Sequence, residues 1–361
     1  MKKRKLSFKK ILLFLLILII VLLFTLLIVY KSEISEVSSD TSPKTFIVKQ
    51  GDNYFSLGER LKENNLIKSE AFYKLYLKLN KPDSSTLTSG AYELNEAMSV
   101  PEIIKILSDK SNQTDSLTKV TFREGLNIRQ MAKIVARKTG ISEKEFLNKV
   151  SDENFIKTLQ NKYWFLTDDI FNDEIYYPLE GYLFPDTYNF DTQNLTAEDI
   201  ITKMLDNTNS KLTPYKDQLQ NGDKNIHQIL TLASLIELEA VTDEDRALVS
   251  GVFNNRLKND WSLGSDVTTY YASKKNLSEV LTKDELNACN GYNTRCTSMK
   301  GLPVGPIDNP SLSSIKAALN PTPSQYYYFV ADTNKKVYFT KNANEHSAII
   351  KKLKDEGKWA A

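Results

Sequence analysis

The sequence predicts an α+β protein with a single N-terminal transmembrane helix, a small β-α-α-β module and a mostly helical body that ends in a β-hairpin. Three observations carry this prediction. Residues 11–30 are apolar at every position but Thr25. Between Thr45 and Leu94, two helix-period segments lie between two β-prone runs. Beyond residue 118 the pattern is mainly helical, until residues 326–331 (YYYFVA) and 336–340 (KVYFT) return to strand character around Asp332-Thr333-Asn334.

The first element is the clearest. A twenty-residue helix spans about 30 Å, the thickness of a bilayer core. Residues 11–30 have that length, and no small-x-small cleavage site follows, only Lys31, Ser32 and Glu33. Six of the 47 basic residues precede the run (Lys2, Lys3, Arg4, Lys5, Lys9, Lys10). Residues 1–10 therefore read as a cytoplasmic basic segment and 11–30 as the membrane span. The expectation is a single-pass protein of the cytoplasmic membrane, N-terminus inside, with its catalytic body on the extracytoplasmic face.

Without those six residues the chain has 41 basic against 45 acidic side chains, so the overall net charge of +2 hides a slightly acidic body. Such a body offers no electrostatic case for nucleic acid. A length of 361 residues exceeds one comfortable core, so two or more folded units are expected. Two histidines and two cysteines leave little for a metal centre, and no metal or cofactor is expected. Cys289 and Cys296 could close a short loop or stay as thiols; the sequence leaves both open.

Residues 31–45 (KSEISEVSSDTSPKT) are polar and read as a tether. The module follows at 46–110. Phe55, Leu57, Leu61 and Leu66 suggest its first helix. Ser69 caps a second, which carries Phe72, Leu75, Tyr76 and Leu79 at i, i+3, i+4, i+7 and stops at Pro82. Residues 89–94 read as a returning strand, and Ser99 with Pro101 opens a short helix. A 74-residue shift pairs Gly51 with Gly125, Leu57 with Met131, Leu61 with Val135, Ile67 with Ile141 and Phe72 with Phe146, which raises the idea of a duplicated strand–helix–helix unit. Residues 111–361 form the remaining region, opened by a polar break.

Standard catalytic signatures are missing: no P-loop, HExxH, GxSxG, or GxGxxG in strand–helix context. A Ser-His-Asp triad could run only through His227 or His346, and both read as helix-start residues. Residues 226–240 (IHQILTLASLIELEA) are more informative. Ile229, Leu230, Ala233 and Ile236 form one apolar stripe, so this is a core helix. Glu237 stands beside that stripe, with small Ala233 and Ser234 one turn back. A carboxyl there would be partly desolvated, which favours the protonated form a general acid needs. A salt-bridged carboxylate at a helix edge fits the position as well. Thr242 then caps a helix with Leu248, Val249, Val252, Phe253 and Leu257 on its apolar face. Polar turns and aromatic loops follow, of a kind that suits sugar hydroxyls and rings.

These residues resemble the MltG (YceG-like) endolytic murein transglycosylase family. The family's motif A-S-[IL]-[IV]-E-x-E stands here as residues 233–239 (ASLIELE). Further matches are residues 180–188 (EGYLFPDTY), 252–257 (VFNNRL), Ser265-Asp266 with Thr268, Tyr292-Asn293-Thr294, 301–307 (GLPVGPI), Asn320-Pro321, 328–332 (YFVAD) and Glu345-His346. The resemblance implies a LysM-like module before a YceG-like catalytic region. It implies cleavage between N-acetylmuramic acid and N-acetylglucosamine in nascent peptidoglycan strands, leaving 1,6-anhydro ends and terminating elongation. It makes Glu237 the catalytic residue. Ser234, Asn255, Arg256, Ser265, Asp266, Thr268, Tyr292, Asn293 and Thr294 are then expected at the substrate, with Glu239, Glu180 and Asp186 in supporting roles. Partners would be peptidoglycan glycan strands, peptidoglycan synthases, and elongation or division proteins. A non-catalytic glycan-binding scaffold of the same machinery is the alternative. The chain departs from the family pattern at Leu238, Gly264, Val267, Arg295-Cys296 and Val304, which leaves subsite details open.

Overall fold

A computed structural model describes residues 8–49, 51–114, 117–192, 195–296 and 298–359. The chain forms two compact units. The first comprises Met1–Lys119, Val135–Ser142 and Asn189–Leu195; the second comprises Val120–Ile134, Glu143–Tyr188 and Thr196–Ala361. Lys2, Lys3, Arg4 and Lys5 of the expected orientation signal lie outside the described residues.

The first unit begins with helix α1 (Phe8–Glu33), longer at both ends than the apolar run. It is long and apolar enough to cross a membrane, and none of its apolar window is buried in the protein. The next segment differs from the tether expected over 31–45. The Lys68 ammonium donates to Ser32 O and Ser35 Oγ at 3.0 and 2.8 Å. Val100 N donates to Ile34 O, Val37 and Ser38 N–H groups donate to Glu96 O, and Ala97 N donates to Asp40 O. Backbone pairing of this kind turns a polar segment into part of the unit. Strand β1 (Lys44–Val48) follows, then helices α2 (Leu57–Glu63) and α3 (Glu70–Asn80), strand β2 (Gly90–Leu94), helix α4 (Val100–Leu107) and strand β3 (Gln113–Thr114). β2 pairs antiparallel with β1, Lys44 opposite Leu94 through Val48 opposite Gly90, and β3 adds a third strand. The β-α-α-β order read from the sequence is therefore present. Phe46, Leu57, Leu61, Tyr73, Leu77, Tyr92 and Ile103 form the core.

Local signals hold. Ser69 accepts from Phe72 N, and Ser99 with Glu102 makes a capping box. The orientation of α3 was not legible. Tyr73 and Leu77 are its buried residues, whereas Leu75 and Leu79, half of the stripe read from the spacing, are 40 and 64 % exposed. Periodicity finds an apolar face; it does not say what covers it.

The second unit is built around helix α10. Strand β4 (Leu117–Thr121) and helix α5 (Ile128–Thr139), each with part of its length counted in the first unit, lead into α6 (Glu143–Val150) and α7 (Glu153–Gln160). β4 pairs with β5 (Thr187–Asp191). The β4-α5-α6 order repeats β1-α2-α3 close to the 74-residue offset, and Gly51 and Gly125 share a left-handed φ of 87° and 74°. The closing strands differ. β1 pairs with the strand that follows its two helices, while β5 comes after a third helix and a long loop. Helices α8 (Ala197–Leu212) and α9 (Lys216–Asn221) precede α10 (Ile226–Glu239). Asn225 and Gln228 cap α10, and residues 229–236 are buried all round, as a central helix requires. α11 (Asp243–Lys258), capped by Thr242, and α14 (Leu312–Leu319) pack on it. α12 (Asp266–Ala272) and α13 (Lys283–Asn287) lie between them in sequence. β6 (Tyr328–Ala331) and β7 (Val337–Thr340) form the expected antiparallel hairpin, packed against α15 (Ala343–Asp355). Cys289 and Cys296 are disulfide-bonded, which resolves the alternative the sequence left open.

Candidate active site

Glu237 lies near the C-terminal end of α10, where the fully buried stretch stops. Its side chain is 7 % exposed. The desolvation expected from the sequence is therefore present, but the cavity is not apolar. Ser311 caps α14, and its N–H and Oγ donate to Glu237 Oε2 at 2.9 and 2.5 Å. Ser314 Oγ donates to the same oxygen at 2.7 Å. The start of α14 thus presents its donors to one carboxyl oxygen. Oε1 faces Arg246 Nη2 of α11 at 3.4 Å. Arg246 also binds Asp243, which accepts from Ser313 Oγ. Gly125 comes close to the Glu237 stem: a Cβ there would stand 3.7 Å from Glu237 Cγ and 3.2 Å from Leu238. A small cleft of about 40 Å³ opens beside this point, lined by Gly125, Asn127, Leu238, Val267, Tyr270 and Ile307 among others.

Glu239 turns elsewhere, as a helix rotation of about 200° over two residues demands. Its Oε1 accepts from Ser265 Oγ at 2.5 Å. Burial pushes its carboxyl up to about 7; the Ser265 hydroxyl opposes that, Asp266 adds to it, and Arg256 opposes it. Several residues expected at the substrate gather on this side. Ser265 N donates to Thr294 Oγ1, Thr294 N donates to Thr268 Oγ1, and Thr268 Oγ1 donates to Ser265 O. Arg256 donates through Nε to Tyr327 O at 2.7 Å and through Nη1 to Leu263 O at 2.5 Å, and it lies over the Tyr328 ring. Asn255 donates to Ser324 O and Tyr326 O. Asp266 is exposed and pairs with Arg295, one of the departures from the family pattern.

The other expected residues are placed apart. Ser234 is fully buried; it donates to Thr231 O and accepts from Ile307 N, which ties the 301–307 loop to α10. Asn293 is fully buried and ties the Ala288 and Leu286 carbonyls to Thr269. Tyr292 packs tilted against the Tyr176 ring and edge-on against the Tyr271 ring. Glu180 accepts from Ile128 N at the start of α5, Tyr271 Oη and Asn309 Nδ2. Burial pushes its carboxyl up to about 8 despite those donors. Asp186 is exposed and accepts from Asn207 Nδ2.

Sequence reasoning missed Ser311, Ser314 and Arg246, the residues that hold Glu237. It also missed Asp308, which is 1 % exposed with neither carboxyl oxygen hydrogen-bonded among the described residues. Burial, with Glu237 and Glu180 nearby, pushes the Asp308 carboxyl well up. The Ser-x-x-Ser start of α14 after Pro310 was a readable capping signal, but nothing local says that the cap also binds a carboxyl 74 residues away.

Known proteins are similar to this chain over most of its length. The YceG-like family matches residues 46–352. The endolytic murein transglycosylase of Bacillus subtilis (strain 168) is 38 % identical over 324 residues, covering 89 % of this chain and 88 % of that protein. The protein of the same name from Streptococcus pneumoniae serotype 2 is 33 % identical over 330 residues; the match covers 86 % of this chain and 59 % of that longer one. The crystal structure of a YceG-like protein from Listeria monocytogenes superimposes with a TM-score of 0.62 at 34 % identity, over 86 % of this chain and all of that one. On this evidence the chain belongs to the YceG-like family.

Proposed function

We propose that this protein is a membrane-anchored endolytic lytic transglycosylase that cuts peptidoglycan strands between N-acetylmuramic acid and N-acetylglucosamine. The single observation that carries the reading is the environment of Glu237. One of its oxygens is fixed by Ser311 and Ser314, while among the described residues the other has only a long contact to Arg246. In the proposed reaction, protonated Glu237 gives its proton through Oε1 to the glycosidic oxygen, and the C1–O bond breaks. The resulting carboxylate then takes the proton from the muramic acid C6 hydroxyl as O6 bonds to C1. The products are a 1,6-anhydro end and a free 4-hydroxyl, Glu237 is again protonated, and no water is consumed. The attached hydroxyl has a high effective concentration, so a second activating carboxylate is dispensable.

The surroundings fit that economy. Glu239 is engaged with Ser265, and Asp308 is closed off from solvent. In this reading neither activates a water beside Glu237. Ser265, Asp266, Thr268, Asn255, Arg256 and Thr294 shape and support the adjoining loops in this reading, and the exposed Asp266–Arg295 pair is the part of that set open to a glycan. In this reading the basic residues before the apolar run keep the N-terminus inside the cell, which leaves the catalytic region outside it. The Cys289–Cys296 bond suits an oxidising face of the membrane. Cutting nascent strands would end their elongation, which makes the peptidoglycan synthases and the elongation or division proteins the natural partners.

The test is digestion of uncrosslinked glycan strands by wild type and Glu237→Gln, read by product mass. Anhydro-ended products from wild type, lost in the variant, support the proposal. Equal cleavage by both would favour another residue, and no cleavage by either would favour a glycan-binding scaffold.

A further inference from the structure

The first unit carries an apolar helix face that its own core covers only in part. In α3, Tyr73 and Leu77 point into the core and Tyr76 packs half-buried at its edge, while Phe72, Leu75 and Leu79 continue from Tyr76 onto the open side of the helix. Leu75 and Leu79 are 40 and 64 % exposed. The place of this face gives its meaning. Tyr30 is the last residue of the apolar run in α1, and its ring lies 6.5 Å from that of Phe72. The connection beyond it is fixed: Lys68 holds Ser32 and Ser35, Val100 N donates to Ile34 O, and Ile34 packs against the core of the unit. α3 is therefore attached to the end of the span without a flexible link.

The hydrocarbon core is about 30 Å thick, and the headgroup layer adds roughly 5–7 Å on each side. If Tyr30 marks the edge of the hydrocarbon, Phe72 stands within the headgroup layer, and the rest of its stripe continues from that point. The composition suits that depth. Tyr30, Phe72 and Tyr76 are aromatics of the kind enriched at the interface. Lys78 follows Leu75 by one turn on the exposed side, where its stem can lie along apolar surface while its ammonium reaches lipid phosphate. We infer that the Phe72–Leu75–Tyr76–Leu79 face of α3 docks on the headgroup layer of the bilayer that α1 crosses, so that the first unit rests on the membrane instead of hanging from it. This rests on α1 as the membrane span proposed above.

The two ideas can be separated in one experiment. The full chain is reconstituted in bilayer nanodiscs of phosphatidylcholine and phosphatidylglycerol. An environment-sensitive fluorophore is placed by cysteine substitution at Leu79→Cys, Leu75→Cys, Val21→Cys and Glu59→Cys, the native cysteines being bonded to each other. Val21 lies inside α1, and Glu59 is exposed on α2, which packs on the Tyr73 side of α3. Quenching is read with lipids that carry a nitroxide on the headgroup or deep in the acyl chain. The inference predicts headgroup-nitroxide quenching at positions 75 and 79 at least about twofold above that at 59, with deep quenching at 21. Deep quenching at 21 with equal, weak quenching at 75, 79 and 59 would overturn the docking and leave the span intact. Loss of deep quenching at 21 would overturn the span and the docking with it. Disulfide cross-linking between copies at position 79 without lipid quenching would assign the face to a second copy and also overturn the proposal.

Discussion

Glu237 and Glu239 stand two residues apart on one helix and have opposite surroundings. Glu237 meets the start of α14 and an arginine; three hydrogen bonds converge on one of its oxygens. Glu239 meets one serine hydroxyl, and burial pushes it up to about 7. Judged by proton affinity alone, Glu239 has the profile of a neutral-pH general acid. Judged by geometry, Glu237 does, because one of its oxygens is held and the other is left for a substrate. The difference shows that a raised pKa marks burial before it marks catalysis, and that the structural partners of a carboxyl decide which reading applies.

The largest effect should separate the two directly. Glu237→Gln is expected to lower the turnover of glycan strands by about 10³–10⁴-fold, the usual scale for losing a general acid that also serves as base. Glu239→Gln should keep most of the chemistry and lose instead in folding or substrate affinity. Steady-state kinetics on strands of defined length checks both, and a reversal of the two effects would move the catalytic role to Glu239.

Next in size is the support of Glu237. Ser311→Ala combined with Ser314→Ala removes the side-chain donors to Oε2 and keeps the Ser311 N–H. Turnover should drop about 10- to 100-fold with KM little changed, as expected when a positioned group loses its orientation. A loss confined to KM would contradict a positioning role for the serines.

The third prediction concerns stability. Glu180 and Glu239 have folded-state values of about 8 and 7, above their ordinary 4.5. Each binds its proton more tightly when folded. Their contribution is fully present below about pH 4.5 and is lost as pH rises to about 7 for Glu239 and 8 for Glu180. Within those windows the slope approaches about 1.4 kcal/mol per pH unit for each group. Urea midpoints across this range should fall for wild type, and fall less steeply between pH 4.5 and 7 in Glu239→Gln, where the Glu180 contribution remains. Asp308→Asn should gain on wild type as pH rises, since its carboxyl too is pushed up by burial. A wild-type midpoint that rises with pH would refute the assignment.

The smallest effect is expected at Asp243, the exposed carboxylate on the far side of Arg246. Asp243→Asn should change turnover less than about threefold, because exposed pairs contribute little. A loss approaching that of Glu237→Gln would reveal a second catalytic carboxylate and favour hydrolysis.

Much of the fold was legible because it is written locally. The caps at Ser69, Ser99 and Thr242, the buried stripe of α10, the β6–β7 hairpin and the apolar span all follow from short-range pattern. The prominence of Glu237 was legible from its place beside that stripe and from the family motif. Its partners were not, since Ser311 and Ser314 reach it across 74 and 77 residues and periodicity carries no information at that range. The pairing of the 31–45 segment and the exposed face of α3 were hidden for the same reason, and the Cys289–Cys296 bond, only seven residues apart, because spacing alone does not fix the approach of two thiols. Each depends on which surface meets which.

The central claim is that Glu237 performs both proton transfers with no water consumed. Digestion of glycan strands in oxygen-18 water, followed by mass spectrometry of the new ends, tests it most directly. The account predicts anhydro ends without label from wild type and from Glu239→Gln, and none above background from Glu237→Gln. Reducing ends carrying one heavy oxygen would contradict it.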